Sequence, residues 1–264
     1  MIKCCSLYSG SSGNSIFIDS NETKILVDAG VSGKKIEEAL NLVGTSLTEI
    51  DAILVSHEHS DHICSVGYLS KKYDIPVYAS ELTWNGMENQ AVKIHPNNQV
   101  AFRPDNWINI GNIDILPFRI PHDANDPCGF SISKNNKKIT IATDIGHINS
   151  YLIGNMESSD LLLIEANHDI EMLKCGKYPW PLKQRILGAN GHLCNEIAGK
   201  TVAHLVKSGM KKFILGHLSA QNNFPELAFQ TVVNSLEEIG AIAGEDVFLE
   251  VAPRNHPSRI LELV

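Results

Sequence analysis

The chain has 264 residues, of which 43% are hydrophobic and 20% are charged, and its formal net charge is −8. This composition is ordinary for a globular protein and excludes a disordered chain or a basic protein that coats nucleic acid. The longest apolar runs, such as "DLLLIEA", have the length of a strand. They are far shorter than the roughly 20 residues of a spanning helix, so no membrane segment is predicted.

The first third of the chain alternates between predicted strands and turns. Three short strands, "IKCCSLY", "SIFID" and "KILVD", are separated by the turn-forming segments "SGSSGN" and "SNET". The segment "GKKIEEALNLVG" predicts a helix with Ile36, Leu40 and Val43 on one face and an end at Gly44. The buried strand "DAILVS" leads into a turn rich in histidine, which is followed by a helix over "SVGYLSKKY" and a strand over "PVYAS".

The rest of the chain changes from strands to helices. The middle predicts the strands "NWINI", "IDILPFRIP", "CGFSIS" and "KITIATD", with "KNNK" as a hairpin turn, and then "DLLLIEA". The helices "CNEIAGKTVAHLVKSG" and "PELAFQTVVNSLEEIG" flank the strand "KKFILGH", and "DVFLEV" and "RILELV" close the chain. The strands of the first half have an antiparallel pattern, whereas the later ones alternate with helices. Two packed sheets with helices outside satisfy this order as one α/β domain over residues 1–264.

The six cysteines form no C-x-x-C pair and no dense framework. In a chain of this size that pattern indicates reduced thiols. The segment "MIKCCSLYSGSSG" has one lysine and no apolar core before a cleavage site, so it predicts no secretory signal. We therefore expect a cytoplasmic protein.

The stretch "LVSHEHSDHIC" places three histidines, a glutamate and an aspartate directly after an apolar run. In an extended turn, residues two apart point the same way, so His57 and His59 can converge on one metal ion. Asp61 and His62 lie beyond the bend and can face a second ion. A single histidine is more often a hydrogen-bonded polar residue than a ligand. Packing, however, gives no reason to gather three imidazoles and a carboxylate at one strand end.

Three further candidate ligands each follow an apolar strand: His122 in "FRIPHDA", Asp144 in "TIATDIGH" and His217 in "FILGHLS". Ligands at strand ends have the rigid support that a preorganised metal site requires. We assign His57, His59 and His122 to the first metal and Asp61, His62 and His217 to the second, with Asp144 as the bridge. Asp28, which ends "KILVD", is assigned to orient a ligand histidine through the other ring nitrogen.

The segment "SHEHSDH", with Asp28, His122, Asp144 and His217 in order, resembles the metallo-β-lactamase superfamily over nearly the whole chain. More specifically, the chain is similar to the YycJ/WalJ group of bacterial proteins in the segments "SGSSGNS", "IPHDANDPCGFSI", "TDIGH", "IEANHD", "YPWPLKQRI", "NGHLCNE" and "GHLSAQNN". The superfamily implies a four-layer αβ/βα sandwich of two mixed sheets with helices on the outer faces. The group implies a DNA exonuclease acting in the 5′ to 3′ direction. Cys194 stands where the group usually has serine, which is a better hydrogen-bond donor.

The ligand set predicts a di-metal hydrolase. Two dications about 3.5–4 Å apart would share a bridging water and lower its pKa toward about 7, which supplies hydroxide for attack. In-line displacement at phosphorus fits this geometry, and hydrolysis of a carbonyl compound is possible on the same site. The donors are only nitrogen and oxygen, so Zn²⁺ is the first choice, Mn²⁺ a close second and iron possible. The histidine at position 59, where oxygen-reactive di-iron relatives have an acid, argues against redox chemistry.

Several residues near the strand ends are candidates for contact with the substrate. The segment "NGHLCNE" precedes a helix, and a helix N-terminus suits a phosphate, so we assign phosphate binding there and proton donation to His192. The role of Asp61 as a ligand also makes it a catalytic residue. His147, Ser219 and Asn223 are further candidates, whereas His168 is a weaker one. The "SGSSGNS" segment lies between strands without a following helix or lysine, so it predicts a tight turn and not a phosphate loop.

The function predicted from the sequence is thus a metal-dependent phosphodiesterase acting on DNA, with nucleic acid as its partner. Two alternatives remain open: hydrolysis of a small ester, thioester or lactam, in the manner of glyoxalase II, and a non-catalytic metal-binding regulatory role. The lysines and arginines, such as Lys177 and Lys211, are scattered. They are as consistent with solvated helix faces as with a nucleic-acid groove.

Overall fold

The computed structural model describes residues 1–264, and its fourteen strands form two mixed sheets of seven strands each. The strands are β1 (Ile2–Tyr8), β2 (Ser15–Asp19), β3 (Lys24–Val27), β4 (Ala52–Leu54), β5 (Val77–Ser80), β6 (Gln99–Phe102), β7 (Ile108–Ile110), β8 (Ile113–Arg119), β9 (Cys128–Lys134), β10 (Lys137–Ala142), β11 (Leu161–Glu165), β12 (Lys212–Gly216), β13 (Phe248–Val251) and β14 (Leu261–Leu263). The predicted α/β class with two mixed sheets is confirmed.

Ten α-helices accompany the strands. They are α1 (Gly33–Leu42), α2 (Ser60–Ile63), α3 (Val66–Tyr73), α4 (Glu81–Gly86), α5 (Glu88–Ala91), α6 (Ser150–Met156), α7 (Ile170–Cys175), α8 (Trp180–Leu187), α9 (Asn195–Lys207) and α10 (Pro225–Glu237). Short 3₁₀ turns occur at Leu47–Glu49 and Pro96–Asn98. None of the helices combines the length and the apolar character that crossing a membrane requires.

The chain divides into two compact units. The first comprises Met1–Arg119, Ala124–Lys137 and Pro253–Val264, and the second comprises Ile120–Asp123 and Lys138–Ala252. The first unit therefore holds the histidine-rich turn, whereas the second holds the three later candidate ligands. The single domain over residues 1–264 stays a prediction.

In the first unit, seven strands lie in the order β14-β1-β2-β3-β4-β5-β6. The pairs from β14 to β3 are antiparallel, but β3 to β6 are parallel to one another. The antiparallel pattern predicted for the first half is therefore wrong for β3 to β6. The reason is that α1 and α3 each carry the chain back across the sheet, as crossover helices between parallel strands do. A second group, β7-β8-β9, is antiparallel.

Helix α1 covers one face of the first sheet. Its buried residues Ile36, Ala39 and Leu40 recur at the helical spacing that the sequence predicted. Ile36 and Leu40 belong to the same core cluster as Ile53 and Val77 of the parallel strands. Gly44 follows the helix with φ of 82°, the left-handed conformation that ends helices at low cost in glycine.

In the second unit, the four strands β10 to β13 are all parallel to their neighbours. Their buried residues form nearly continuous apolar runs, such as "LLLIE" in β11, which is typical of strands covered on both faces. Helices α9 and α10 pack against each other, and Gly199 permits their close approach, because a Cβ there would lie 2.5 Å from Oγ of Ser235.

Three strand ends bring acidic or imidazole side chains out of the sheets on strained backbone. Asp28 follows β3, Asp144 lies two residues beyond β10, and His217 follows β12, with φ of 62°, 61° and 55°. Non-glycine residues rarely adopt positive φ, and such strain of roughly 1–3 kcal/mol each is concentrated at functional sites. At each of these three positions the left-handed backbone turns the chain and directs one side chain away from the end of the strand.

The histidine-rich turn is held by backbone contacts within the first unit. Asn14 N–H donates to the carbonyl of Asp61 at 2.8 Å, and Ala29 N–H donates to that of His62 at 2.8 Å. The predicted tight turn in "SGSSGNS" is confirmed, since Gly13 N–H donates to the carbonyl of Gly10 at 3.0 Å. Gly30 makes the approach possible, because a Cβ at this position would lie 1.6 Å from the carbonyl oxygen of Asp61.

We therefore expect Gly30→Ala to destabilise the protein by about 3 kcal/mol, because the backbone around Asp61 must move to admit a methyl group. The free energy of unfolding from urea titration measures this. The matched control is Gly154→Ala, in the short helix α6, where an added Cβ meets nothing within 4 Å and should stabilise the helix by roughly 0.5–1 kcal/mol. Equal stability of the Gly30 variant and the wild type would contradict the close approach.

Candidate metal centre

Three histidines of the turn lie side by side in the first unit. Nε2 of His57 is 3.1 Å from Nδ1 of His59, and the ring centroids of His57 and His62 are 4.1 Å apart. Oδ2 of Asp61 lies 3.6 Å from Nε2 of His62. The side-by-side placement of His57 and His59, which the two-residue spacing predicted, is thus present.

Asp28 fixes one of these rings. Its Oδ2 lies 2.7 Å from Nδ1 of His62 and accepts a hydrogen bond from Oγ of Ser56 at 2.8 Å, and its Oδ1 accepts from the Ser56 amide at 2.8 Å. An ionised carboxylate only accepts, so Nδ1 of His62 donates the proton and the lone pair stays on Nε2. The predicted contact between Asp28 and a candidate ligand ring is therefore present.

A second cluster surrounds Asp144 in the second unit. Its Oδ1 lies 3.4 Å from Nδ1 of His217 and 3.7 Å from both Nε2 of His122 and Nδ1 of His192. His122 donates from Nδ1 to the carbonyl of Gly191 at 3.1 Å, which leaves the lone pair of His122 on Nε2, the nitrogen that faces Asp144. Asp144, His122 and His217, predicted from three separate strand ends, come together here.

Glu165, at the end of β11, organises this cluster, and the sequence analysis missed it. It is fully buried. Its Oε1 lies 2.8 Å from Nδ1 of both His192 and His217, while its Oε2 accepts from the amides of Ile145 at 2.7 Å and Leu193 at 3.0 Å. The available signal was an acidic residue that ends the otherwise apolar run "DLLLIEA".

The charge of Glu165 is stabilised by these four donors. Burial alone would raise the pKa of its carboxyl group, but the neighbouring His192 and His217 rings hold that pKa well below its usual range. Burial also disfavours protonated His192, yet the Glu165 carboxylate outweighs this and raises the pKa of His192. Both oxygens of Glu165 are engaged by protein donors. We therefore assign it the positioning of two rings and not the coordination of a metal.

The donor chemistry of the two clusters fits divalent metal ions. For His62, His122 and His217, hydrogen bonds from Nδ1 to Asp28, Gly191 and Glu165 place the lone pair on Nε2, as in ligand histidines of metalloproteins. The remaining donors are carboxylate oxygens and imidazole nitrogens, which suit zinc and manganese.

The predicted substrate contacts have different surroundings. His147 is exposed and donates from Nδ1 to the carbonyl of Ala189 at 2.8 Å, and His192 is partly exposed. Ser219 and Asn223 are buried in the loop after β12, where Nδ2 of Asn223 donates to the carbonyl of Ala166 at 2.9 Å. These four roles stay predictions, and the internal bonds of Asn223 give it a part in shaping that loop.

Some of the basic residues are already engaged. Lys183 is buried, and its Nζ donates to the carbonyl of Lys174 at 2.6 Å, near the end of α7. Arg185 pairs with Asp123, whose Oδ1 accepts from Nη2 at 3.0 Å. Lys183 therefore does not add to the positive charge of the surface, because its ammonium group is bound inside the protein.

The comparison with protein families identifies the class of protein. The family model for the beta-lactamase superfamily domain matches residues 23–218. The chain belongs to this superfamily, and it is a metal-dependent hydrolase.

Curated relatives narrow the comparison. The chain is 39% identical over 254 residues to exodeoxyribonuclease YycJ of Bacillus anthracis, covering 96% of each protein. It is 43% identical over 242 residues to exodeoxyribonuclease WalJ of Streptococcus pneumoniae serotype 2, covering 91% of this chain and 90% of the relative. The resemblance to the YycJ/WalJ group is therefore confirmed.

Solved structures show the same fold at low sequence identity. The metallo-beta-lactamase fold protein YhfI from Bacillus subtilis has a TM-score of 0.71 and 17% identity, covering 97% of this chain and 98% of its own. Zn(2+)-bound PqqB from Methylobacterium extorquens has a TM-score of 0.73 and 14% identity, covering 99% and 100%. At these identities the likeness establishes the fold alone.

Replacement of Glu165 tests its role as a positioning residue. Glu165→Gln removes the charge of the side chain. In either orientation of the new amide, its NH₂ group faces N–H donors, which are ring nitrogens on one side and backbone amides on the other. We expect the affinity for Zn²⁺ to fall by roughly 10–100-fold, the usual effect of removing the acceptor behind a ligand histidine. Competition with a chromophoric chelator measures the affinity, and circular dichroism checks the fold.

The matched control for this variant is Glu171→Gln on α7, which removes an exposed carboxylate that pairs only with Lys174 of the same helix. Its affinity for zinc should equal that of the wild type. Unchanged zinc affinity in Glu165→Gln would show that Glu165 does not position the ligands.

Proposed function

We propose that this protein is a DNA exonuclease, of the 5′ to 3′ type, that depends on two divalent metal ions. The observation that carries the proposal is the identity of 39–43% with two exodeoxyribonucleases over at least nine-tenths of every chain compared. The structure adds support, because the side chains that the hydrolytic chemistry needs lie in two preorganised clusters.

The two clusters, in this proposal, supply the seven ligands of one dinuclear centre. His57, His59 and His122 would hold the first ion, Asp61, His62 and His217 would hold the second, and Asp144 would be a ligand shared by both. The Nδ1 hydrogen bonds described above support the assignment, since they leave Nε2 of His62, His122 and His217 as the metal-binding atom. Zn²⁺ is the first choice for the ions, with Mn²⁺ second and iron third.

Bound metals would supply an activated water and a Lewis acid for the phosphodiester group. The chain's own residues supply orientation and a proton. Asp28 and Glu165 keep the ligand rings from rotating. His192 is bound through Nδ1 to Glu165, so its protonated form can offer the Nε2 proton to the leaving oxygen while the carboxylate stabilises the imidazolium. Asp61 would contribute as a ligand that holds the second ion in place.

DNA is the proposed partner, and His147, His192, Ser219 and Asn223 are the proposed contacts with it. His147 and His192 are the two of these residues with exposed or partly exposed rings, so they offer direct contact. The cytoplasm is the proposed location. All six cysteines are free thiols, including the adjacent Cys4 and Cys5, which agrees with a reducing compartment.

The substrate class is tested with three substrates side by side: bis-p-nitrophenyl phosphate, a thioester and an end-labelled DNA duplex, each with Zn²⁺ and with Mn²⁺. We expect cleavage of the phosphodiesters, release of mononucleotides from the 5′ end of the duplex, and no thioester hydrolysis. The activity should disappear on chelation and return with added metal. Thioester cleavage without phosphodiester cleavage would overturn the nuclease assignment, and so would a fully metallated protein that turns over neither.

The proton-donor role is tested with His192→Ala. Because proton transfer by a positioned side chain contributes roughly 10²–10⁴-fold, we expect kcat on a 5′-phosphorylated duplex to fall within that range. The control is His204→Ala, an exposed histidine on α9 that should leave kcat unchanged. The bound metal is counted in both variants. Full turnover by His192→Ala with two metals bound would remove His192 from the mechanism.

A further inference from the structure

A pocket of about 340 Å³ lies in the second unit beside the Asp144 cluster. Its volume falls in the range of roughly 300–1,000 Å³ that is typical of small-ligand sites. Five of its ten lining residues are aliphatic: Ile148, Ile170, Leu187, Leu193 and Ile197. None of its lining residues is a lysine, an arginine or an acid, so the pocket offers a ligand apolar surface and no side chain of fixed charge.

His168 supplies an unusual polar group in this pocket. Its side chain is 1% exposed, and neither Nδ1 nor Nε2 has a hydrogen-bond partner. Burial lowers the pKa of His168 to about 4, although Glu165 and Asp169 partly oppose this, so the ring is neutral near pH 7. A neutral imidazole has one N–H donor and one lone pair, and leaving both unsatisfied in a buried position is costly. A ligand edge that carries both acceptors and donors can pair with either nitrogen of this ring.

The chemistry of the pocket distinguishes a base from a phosphate. A phosphate dianion taken out of water needs positive charge or several donors, and no lysine or arginine lines this pocket. His192, the lining ring whose pKa is raised, already has its charge balanced by the Glu165 carboxylate at 2.8 Å. A nucleobase has apolar faces for the aliphatic walls and an edge that carries both donors and acceptors.

We propose that this pocket binds a nucleobase of the DNA substrate, with His168 hydrogen-bonding its edge. The inference rests on the proposed nuclease function and deepens it. His192 connects the two sites, since its ring lines the pocket and donates from Nδ1 to Glu165, which also holds His217. A base in the pocket therefore belongs to a nucleotide next to the phosphodiester group that the metals act on. The phosphate site predicted at "NGHLCNE" is the competing interpretation, and the comparison with inorganic phosphate below tests it.

The first test is direct binding to the metal-loaded protein by titration calorimetry. The ligands are the deoxynucleosides, which contain no phosphate, and inorganic phosphate serves as the comparison. We expect saturable binding of a deoxynucleoside that weakens at least tenfold in Ile197→Trp, where the larger side chain fills the pocket. The matched control is Lys200→Trp, an exposed position of α9 outside the pocket lining, which should bind as the wild type does.

A second variant examines the polar contact. His168→Phe keeps an aromatic ring of similar size and removes both unsatisfied nitrogens, so the fold should be retained, as thermal unfolding would show. We expect deoxynucleoside affinity to fall at least tenfold. The proposal is overturned if no deoxynucleoside binds to the wild type, or if Ile197→Trp and His168→Phe both bind as well as the wild type. It is also overturned if Ile197→Trp weakens the binding of inorganic phosphate and leaves the binding of deoxynucleosides unchanged.

DNA cleavage separates this inference from the proposed function. A duplex with abasic terminal nucleotides is compared with the intact duplex, and we expect kcat/KM to fall at least tenfold for the abasic end. Equal cleavage of both would overturn the base pocket while the nuclease assignment stands. Nucleoside binding without cleavage of either duplex would sustain the pocket and overturn the nuclease.

Discussion

A buried carboxylate behind a histidine ring is the interaction on which the rest of the site depends. Asp28 plays this part in the first unit, and Glu165 plays it in the second for two rings at once. A buried anion is costly unless every oxygen is satisfied, and Glu165 meets this requirement with two ring and two backbone donors. In return, the carboxylate fixes the tautomer and the rotation of each ring. The lone pairs are therefore oriented before any cation arrives.

The need to orient the ligand atoms in advance also explains why the backbone is strained at the ends of these strands. The side chains of Asp28, Asp144 and His217 each leave the sheet from a left-handed backbone conformation that such residues rarely adopt. Strain of this kind persists only where the surrounding structure fixes the chain, and here the parallel strands and the buried carboxylates do so. A rigid cluster can then present its donors with little reorganisation on binding, which is what catalysis by preorganised charge requires.

Much of the fold follows from local patterns in the sequence. The strands β1 to β3 and the helices α1, α9 and α10 were predicted with nearly their observed bounds, because apolar periodicity and turn residues act over a few positions. The helices α4 to α8 have eight residues or fewer and were missed, because so short a segment contains few turns of a helical pattern. The parallel order of β3 to β6 was also predicted wrongly, because strand direction depends on how α1 and α3 pack across the sheet.

By itself, the sequence determined the chemistry of this protein: the run of His57, His59, Asp61 and His62, and the three residues that follow apolar strands, are signals of residue type and spacing. Only the tertiary structure decided which groups hold those residues in place. Glu165 ends the apolar strand β11 and His168 lies three residues beyond it, so the local pattern marks them as polar residues at a strand end without giving either a role. Their roles depend on partners far away in the chain, or on the absence of any partner, and no local pattern encodes such contacts.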